Sequence, residues 1–463
     1  MNFDLIFSNA EKKVPEIAVI GVGGFNHSLF VYGMRGGKVR IRALCGRNIQ
    51  RCVDAFSSAG IPADKIKVCR DYDEGMAAYN AGRFLVFDDV SLAMRMPFDT
   101  VVEGTGNPEA AARHALAAIE HGKNIVMVTK ESDSVAGPFL AKKARDKGLI
   151  YSLAMGDQPA LLVSLASWAG TAGLTILSIG KSSEYDFVFD EENETMTVLE
   201  KTVSVPNFRG LWDLGPDAAE TLKKRSRVLS AFGQRAIPDL TEMGIVCNHL
   251  PDIHPDVPSF HCPVARTVEI PDIMSPADLG GILKGTARID VVNCLRRKDE
   301  QSMGGGVYLV VACDDKETWR VLGEKGMPQS RNGKTALIYY PAHYLGFEAL
   351  FSVLSIAHLG FPTGSPEPRP RYDLVARTTK DLKKGACFKA QGHHHVIEGL
   401  EGLLLPAEPI GNNVMLPYYL ADGTVLKRDL PAGTFLTADA LEKQDDALLW
   451  ELREEQDQIF FPR

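Results

Sequence analysis

The chain has 463 residues, 45% hydrophobic and 24% charged, enough for two or three domains with sizeable cores. Its formal net charge of −8 excludes the basic footprint of a nucleic-acid binder. The eight cysteines stand apart with no Cys-x-x-Cys pair, which suits reduced thiols in a cytosol and not a disulfide framework.

The first thirteen residues, MNFDLIFSNAEKK, lack a basic start followed by a long apolar run, so no signal peptide is expected. An apolar run, Ile17 to Ile20, ends in Gly21-Val22-Gly23-Gly24, and a helix-like stretch, Asn26 to Met34, follows. This strand, glycine turn and helix opens a dinucleotide-binding unit. Gly21 permits the tight turn and Gly23 lets backbone approach a pyrophosphate. Gly24 and Phe25 lead into a helix N-terminus whose unpaired N–H groups face that pyrophosphate. Asn26 replaces the third glycine or alanine of the fingerprint. A second strand, Val39 to Cys45, runs into Gly46-Arg47-Asn48. Gly46 lies 25 residues after Gly21, where an Asp or Glu would bond the adenosine ribose. Glycine leaves room there for a 2′-phosphate, which Arg47 or Arg51 can pair, so NADP(H) is favoured over NAD(H).

Further along, Ile49 to Ala59 and Asp71 to Ala81 read as helices, with a short strand at Lys67 to Cys69. The strand Thr100 to Glu103 is broken by Gly104-Thr105-Gly106-Asn107-Pro108, small residues suited to the nicotinamide half of a cofactor. Pro108 to His121 is an amphipathic helix closed by Gly122. A strand, Asn124 to Thr129, ends at Lys130. The helix Gly137 to Lys147 and the strand Leu149 to Ala154 complete the alternation. The pattern predicts an α/β protein whose residues 1–155 form a Rossmann-type, doubly wound domain.

Gln158 to Gly180 is the longest uncharged stretch, but its serines, threonines and glycines argue for a buried helix (Ala160 to Trp168) and a strand (Leu174 to Ile179), not a membrane span. Strand-like runs then predominate (Met196 to Val203, Ile289 to Val292, Val307 to Cys313, Thr335 to Tyr340), predicting an α+β substrate and oligomerisation domain over 156–361. Pro341 to Leu359 reads as one long helix, and Phe361 to Arg371 as a Pro-rich linker. A β-rich unit over 372–440 follows, with a charged helix, Ala438 to Gln456, leading the final stretch 441–463.

Lys130 stands where an open α/β sheet binds its ligand, outside the carboxyl ends of the strands. There it would hydrogen-bond a substrate oxygen and handle a proton during hydride transfer; the alternative is a surface lysine paired with Glu131 or Asp133. His343 is a second proton donor, or a neutral histidine bonding backbone. Asp157 either binds a substrate hydroxyl or caps the helix that Pro159 opens. Lys181 and Glu184 face the substrate or are solvated turn charges. The run CNHLPDIHPDVPSFHC holds metal-ligand types, but its spacing fits no compact zinc template. His393-His394-His395 read as a surface or cleft-facing loop.

The segment HALAAIEHGKNIVMVTK resembles the helix, Gly-Lys turn and strand of homoserine dehydrogenase, in which the lysine matching Lys130 is catalytic. LVARTTKDLKKGACF and LPYYLADGTVLKRDLPAGTFLTADAL resemble a SAF domain, a small β-clip module. Together they resemble the SAF-containing, homoserine-dehydrogenase-like oxidoreductases, including the 1-deoxyxylulose-phosphate reductoisomerase-like enzymes. Pro341-x-His343 with Glu348 resembles an element of these relatives. Tyr151 to Ala154 lacks the family's glutamate, and Phe232-Gly233-Gln234-Arg235 stands where the reductoisomerase-like relatives carry Asp-Gly-Thr-Lys. The resemblance implies an NAD(P)H-dependent oxidoreductase acting on a small polar carbonyl or alcohol, phosphorylated or not, in a cleft between the first two domains. It also admits a divalent metal, for which Glu131 and Asp133 are the nearest carboxylates. A homodimer or larger assembly is expected, because the strand edges of the middle domain need cover. Two alternatives stay open: a reductoisomerase-like enzyme with a divalent metal, and a non-catalytic sensor of a nucleotide or sugar. Neither a nucleic-acid nor a membrane partner is expected.

Overall fold

In the computed structural model, which describes residues 2–8, 13–392 and 395–462, strand and helix alternate through the first unit. A short helix, α1 (Phe3–Ile6), precedes β1 (Glu16–Ile20). Next, α2 (Gly24–Ser28) runs through a π-turn, Leu29–Gly33, into α3 (Met34–Gly36). There follow β2 (Arg40–Cys45), α4 (Ile49–Ser58), β3 (Ile66–Val68), α5 (Tyr72–Asn80), β4 (Phe84–Phe87) and α6 (Val90–Arg95). The unit closes with β5 (Thr100–Glu103), α7 (Pro108–Glu120), β6 (Asn124–Met127), α8 (Lys130–Asp146) and β7 (Tyr151–Leu153). Side chains of Asn48, Asp71, Asp89 and Asn107 accept first-turn N–H groups of α4, α5, α6 and α7, which fixes where those helices begin.

All seven strands pair in parallel, in the order β3-β4-β2-β1-β5-β6-β7, the arrangement of a Rossmann-like sheet. The apolar runs of β1, β2, β4, β5, β6 and β7 are buried on both faces, as helices covering both sides of a parallel sheet require, and only the edge strand β3 is half-buried. β2 lies on one side of β1 and β5 on the other, so the winding reverses at β1 and a crevice opens there.

Two differences from the sequence reading stand out. β4 and α6 occupy a stretch assigned to no element, because Phe84–Phe87 is a four-residue apolar run without alternation. α8 starts at Lys130, well ahead of the expected Gly137, and contains Pro138. Proline removes a helical N–H, which argues against a helix on both its sides. Here the Gln456 amide bridges the break: its Oε1 accepts from Phe139 N at 3.1 Å and its Nε2 donates to Val135 O at 3.0 Å.

The second unit comprises α9 (Gln158–Thr171), β8 (Ile176–Ser182), β9 (Phe187–Asp190), β10 (Thr195–Val198), β11 (Lys201–Ser204), α10 (Ala218–Val228) and α11 (Ile237–His249). It continues with β12 (His254–Pro255), β13 (Val264–Ala265), α12 (Ile270–Ile273), β14 (Arg288–Arg297), β15 (Val307–Ala312), α13 (Lys316–Glu324), β16 (Thr335–Tyr340) and α14 (Gly346–Leu354). Its mixed nine-stranded sheet follows the path β11-β10-β9-β14-β8-β15-β16, with β12 and β13 also paired to β14. The predicted strand Met196 to Val203 is a hairpin, β10 and β11. The long helix expected from Pro341 begins only at Gly346 and ends in a π-turn, Ser355–Leu359, closed by Gly360 at φ 76°. α14 packs on α2 so closely that a Cβ on Gly346 would lie 2.1 Å from Phe25 O. Ala349 and Val353 thereby join Val19, Leu29 and Ile41 in one core.

The third unit holds β17 (Tyr372–Thr378), β18 (Ala390–Gln391), β19 (Val396–Ile397), β20 (Leu400–Pro406), β21 (Val425–Leu426), β22 (Leu441–Glu442) and α15 (Leu448–Phe460). The closing helix therefore starts at Leu448 and not at Ala438, because Ala438–Ala440 is a 3-10 turn leading into β22. Glu109 of α7 accepts the Leu448 and Leu449 N–H groups at 2.9 and 3.0 Å, capping α15 from the first unit. The linker 361–371 is irregular but anchored, with Asn248 holding the backbone of Arg369, Arg371 and Tyr372. Among the described residues no helix is long and apolar enough to cross a membrane.

Candidate active site

Two glycine loops meet at the reversal point. Gly21 has φ 88° and donates to Cys45 O at 2.9 Å, while Gly104 donates to Ile20 O at 3.0 Å. A Cβ on Gly21 would lie 2.5 Å from Gly104 O, so the turn accepts no other residue. Asn26, the departure from the fingerprint, is buried between the loops. Its Nδ2 donates to Gly21 O at 2.9 Å and to Ile20 O at 3.3 Å. A Cβ on Gly104 would come within 2.5 Å of that same nitrogen. The asparagine thus replaces close helix–strand packing by a hydrogen-bonded clamp.

A cleft of 1020 Å³ opens over these loops, lined by Gly21, Gly23, Arg47, Gly104, Thr105 and Asn107 among others. Arg51 Nη2 donates to Val22 O at 3.2 Å, which lays a guanidinium against the glycine turn, and Arg47 is exposed on the rim. Asp88 and Asp89 also line the cleft, so the Arg47 end carries both signs of charge. Gly24 and Phe25 form the start of α2 outside the cleft lining. Gly106 lies beneath the ring of His395, whose Nε2 would be 3.1 Å from a Cβ there. His393 and His394 lie outside the described residues.

One carboxylate orders both loops beside the crevice. Glu103, fully buried at the end of β5, accepts from Thr105 N at 3.2 Å, Thr105 Oγ1 at 2.6 Å and Thr129 Oγ1, and pairs with His114 Nδ1 at 3.2 Å. Thr129 Oγ1 in turn accepts Gly106 N at 3.0 Å. The sequence reading passed over Glu103, which stands as an ordinary last strand residue until its partners are seen.

Lys130 begins α8 and reaches a buried array of charge. Its Nζ is ion-paired with Glu242 Oε1 and lies 3.7 Å from Asp157 Oδ1. The other oxygen of Glu242 is ion-paired with Lys181 Nζ, which lies 2.7 Å from Asp239 Oδ1. Asp239 and Glu242, three apart on α11, present both carboxylates to one side. The Lys181 side chain is 2% exposed and that of Lys130 24%. Burial opposes charge on both lysines, but Asp157, Glu242 and Glu131 outweigh it at Lys130, and Asp239 and Glu242 outweigh it at Lys181. Both are held above the usual lysine range as ammonium ions. Burial likewise opposes ionisation of Glu242, yet the two ammonium groups hold it down at about 2.

Around this array the remaining candidates take distinct places. Asp157 caps α9, accepting Gln158 N at 3.1 Å, so its capping and site-facing readings coincide; burial raises its carboxyl and Lys130 partly offsets that. His343 Nδ1 is 3.0 Å from Gly305 O and 3.4 Å from Gln158 Nε2. Lys181 lies inside β8 and is no turn residue. Glu184 is half-buried and lines a second cavity, of 580 Å³, together with Asp239. The acidic pair of α11 went unread because every residue from Asp239 to His249 is buried, leaving no polar face to give a helical period. Two carboxylates three apart in the apolar run DLTEMGIV were the signal available.

A divalent cation does not fit these residues. Among the described residues no group of three or more His, Cys, Asp or Glu converges as metal ligands would. Asp157, Asp239 and Glu242 are each already engaged by one or both of the two lysines. Asp133 turns into the first unit's core and accepts Tyr151 Oη at 2.6 Å; burial pushes its carboxyl up to about 6 and that of Glu131 to about 7. The Cys247–Cys262 run disperses as well: His249 accepts Ser365 N at 2.9 Å, His254 pairs with Tyr372 Oη at 3.1 Å and His261 with Asp256 at 2.9 Å.

Comparison with known proteins bears on the same residues. Residues 156–349 match the family model described as "Oxidoreductase DRL, catalytic domain", a span that contains Asp157, Lys181, Asp239, Glu242 and His343. Lys130 and both glycine loops lie ahead of the matched span. No curated protein matches the chain. Solved structures match part of the chain. A 1-deoxy-D-xylulose 5-phosphate reductoisomerase from Zymomonas mobilis, in complex with NADPH, is 21% identical over 37% of this chain and 46% of that one, with a TM-score of 0.27. A scyllo-inositol dehydrogenase from Lactobacillus casei, with bound NAD(H) and scyllo-inositol, is 13% identical over 37% and 46%, with a TM-score of 0.26. A dehydrogenase from Chromobacterium violaceum is 17% identical over 36% and 43%, with a TM-score of 0.23. The chain spans less than half the length of each of these proteins.

Proposed function

We propose that this oxidoreductase uses a nicotinamide cofactor, NADP(H) in preference to NAD(H), to interconvert the hydroxyl and carbonyl of a small polar substrate, phosphorylated or not, as homoserine-dehydrogenase-like enzymes do. The observation that carries the reading is Lys130: an ammonium ion held by Glu242 and Asp157, at the end of β6, between the glycine-loop cleft and the oxidoreductase span. When bound, the cofactor supplies or accepts the hydride. The chain's own residues do the rest. The turn from Gly21 to Gly23, at the head of α2, brings backbone to the cleft for a pyrophosphate, and Arg51 adds a cation beside that turn. Arg47 stands ready to pair a 2′-phosphate. Glu103 fixes the Thr105 and Thr129 loops against which a nicotinamide would rest.

In the reducing direction Lys130 hydrogen-bonds the carbonyl oxygen, stabilises the charge that develops there and donates Nζ–H to it. In the oxidising direction the same nitrogen, once neutral, takes the hydroxyl proton. Asp157 and His343 flank this oxygen site and supply an acceptor and a second proton-handling group for a neighbouring substrate hydroxyl. The unit over 372–440 is assigned to a SAF-type module on its sequence. The largely exposed end strand of the nine-stranded sheet, β11, supports assembly as a homodimer or larger.

The test is titration of the purified protein with NADPH and NADH, following nicotinamide fluorescence and melting temperature, then a screen of alcohols and carbonyls with cofactor absorbance as readout. Tighter binding of NADPH supports the Arg47 assignment. Preference for NADH overturns that assignment alone. Binding of neither overturns the reading and favours a sensor of another ligand.

A further inference from the structure

Lys130 must exchange a proton with solvent once per turnover, yet a substrate held against its ammonium would cover the part of its side chain now exposed. The back of the site offers another route. Lys130, Glu242, Lys181 and Asp239 form an unbroken line of alternating charge, each in direct contact with the next. Glu242 uses one oxygen for each lysine. The line ends at Asp239, whose Oδ1 holds Lys181 while its buried Oδ2 has no hydrogen-bond partner among the described residues. Asp239 also forms part of the wall of the 580 Å³ cavity. A buried carboxylate oxygen without a donor is costly unless something visits it. A water entering from the adjoining cavity would supply a donor.

We propose that Glu242, Lys181 and Asp239 form a proton relay joining Lys130 to water in this second cavity, so that the lysine is recharged from behind while substrate and cofactor cover its front. The inference rests on the reading of Lys130 as the group that protonates the substrate oxygen. In the reducing direction the carbonyl carbon gains a hydride and its oxygen gains a proton from Lys130, leaving a neutral amine. Lys181 passes a proton to Glu242, and a half-turn of that carboxyl about its terminal bond delivers it to Lys130. Asp239 recharges Lys181 in the same manner after taking a proton from water at Oδ2. One proton leaves the cavity for each hydride transferred, and the three relay groups end as they began. Oxidation runs the line in reverse.

The measurement is solvent exchange of lysine Nζ protons in the full chain labelled with 15N-lysine, the two signals being assigned through Lys181→Met and Lys130→Met. Asp239→Asn removes the terminal acceptor. A relay predicts that Lys181 exchange slows at least tenfold. Without a relay, loss of the negative partner loosens the ammonium protons, and exchange stays the same or quickens; either result overturns the proposal. Gly233→Trp provides an independent arm, because Gly233 lies on the cavity rim where an added Cβ meets nothing within 4 Å. Plugging the cavity must slow Lys181 exchange with the ion pairs intact, and unchanged exchange counts against the relay. With NADPH bound, Lys130 exchange should become sensitive to both substitutions. Failure of NADPH to bind overturns the cofactor reading, while the Lys181 measurements still decide the relay.

Discussion

Lys130 and Glu242 are 112 residues apart in the chain and in direct contact in the structure, joining the first residue of α8 to the middle of α11. The contact ties the glycine-loop unit to the span that matches an oxidoreductase catalytic domain. It also sets the charge state of the lysine before any substrate arrives.

Lys130→Met should therefore separate chemistry from binding. Turnover on an identified substrate should fall by about 100- to 10,000-fold, the usual worth of a positioned proton donor. NADPH affinity should change little, since the cleft is lined by other residues. Lys130→Arg should not restore turnover, because a guanidinium does not release its proton. Stopped-flow and equilibrium fluorescence on the same preparations check this.

The Asn26 clamp makes a double-mutant prediction. Gly104→Ala forces a methyl to within 2.5 Å of Asn26 Nδ2 and should cost about 2 kcal/mol. Asn26→Ala loses the bonds to Gly21 O and Ile20 O, about 1–2 kcal/mol. In the double variant the clash is gone, so the combined loss should be smaller than the two single losses together. Urea denaturation of the four proteins measures the coupling.

Gln456→Leu should destabilise the protein by about 2–4 kcal/mol, since it strips both amide contacts from the Phe139 and Val135 backbone at the proline of α8. Pro138→Ala restores a helical N–H and should reduce that loss. Melting temperatures of the two single variants and the double variant decide.

His249 sets an acid limit. Burial drops its imidazole from 6.5 to about 3, and it serves as a neutral acceptor for Ser365 N. A base whose folded value is depressed contributes stability that is complete above 6.5 and is lost as pH falls from there toward 3. By about pH 4.5 the loss should reach about 3 kcal/mol. His249→Gln should be less stable than the parent at neutral pH and lose less between neutral pH and about pH 4.5. Chemical denaturation across that range checks the slope.

Much of the first unit was legible because its cues are local. Gly21, the Gly104 to Asn107 turn, Pro108 and Gly122 mark strand ends and helix starts through backbone conformations that neighbours in sequence dictate. Lys130 could be placed at a strand end on the same grounds. Its partners could not, because Glu242 meets it only after two units pack, and α11 is buried on all sides and shows no period. The start of α8 ahead of the expected Gly137 was hidden for the opposite reason: the local rule against a helix on both sides of Pro138 is overridden by the Gln456 side chain. The long helix expected from Pro341 failed where tertiary contact intervenes, since Gly346 must reach Phe25 before α14 can begin.

The Gln456 bridge also orders events in time. α8 carries Lys130 at its head, yet its proline is bridged by a residue made 317 positions after Phe139. On the ribosome, the sheet of the first unit can form early from neighbouring strands, while this helix waits for Gln456 to emerge. Contacts of such long span close slowly and leave partly built surfaces exposed meanwhile. A nascent chain halted before α15 would hold a glycine-loop unit whose key helix is still unfinished.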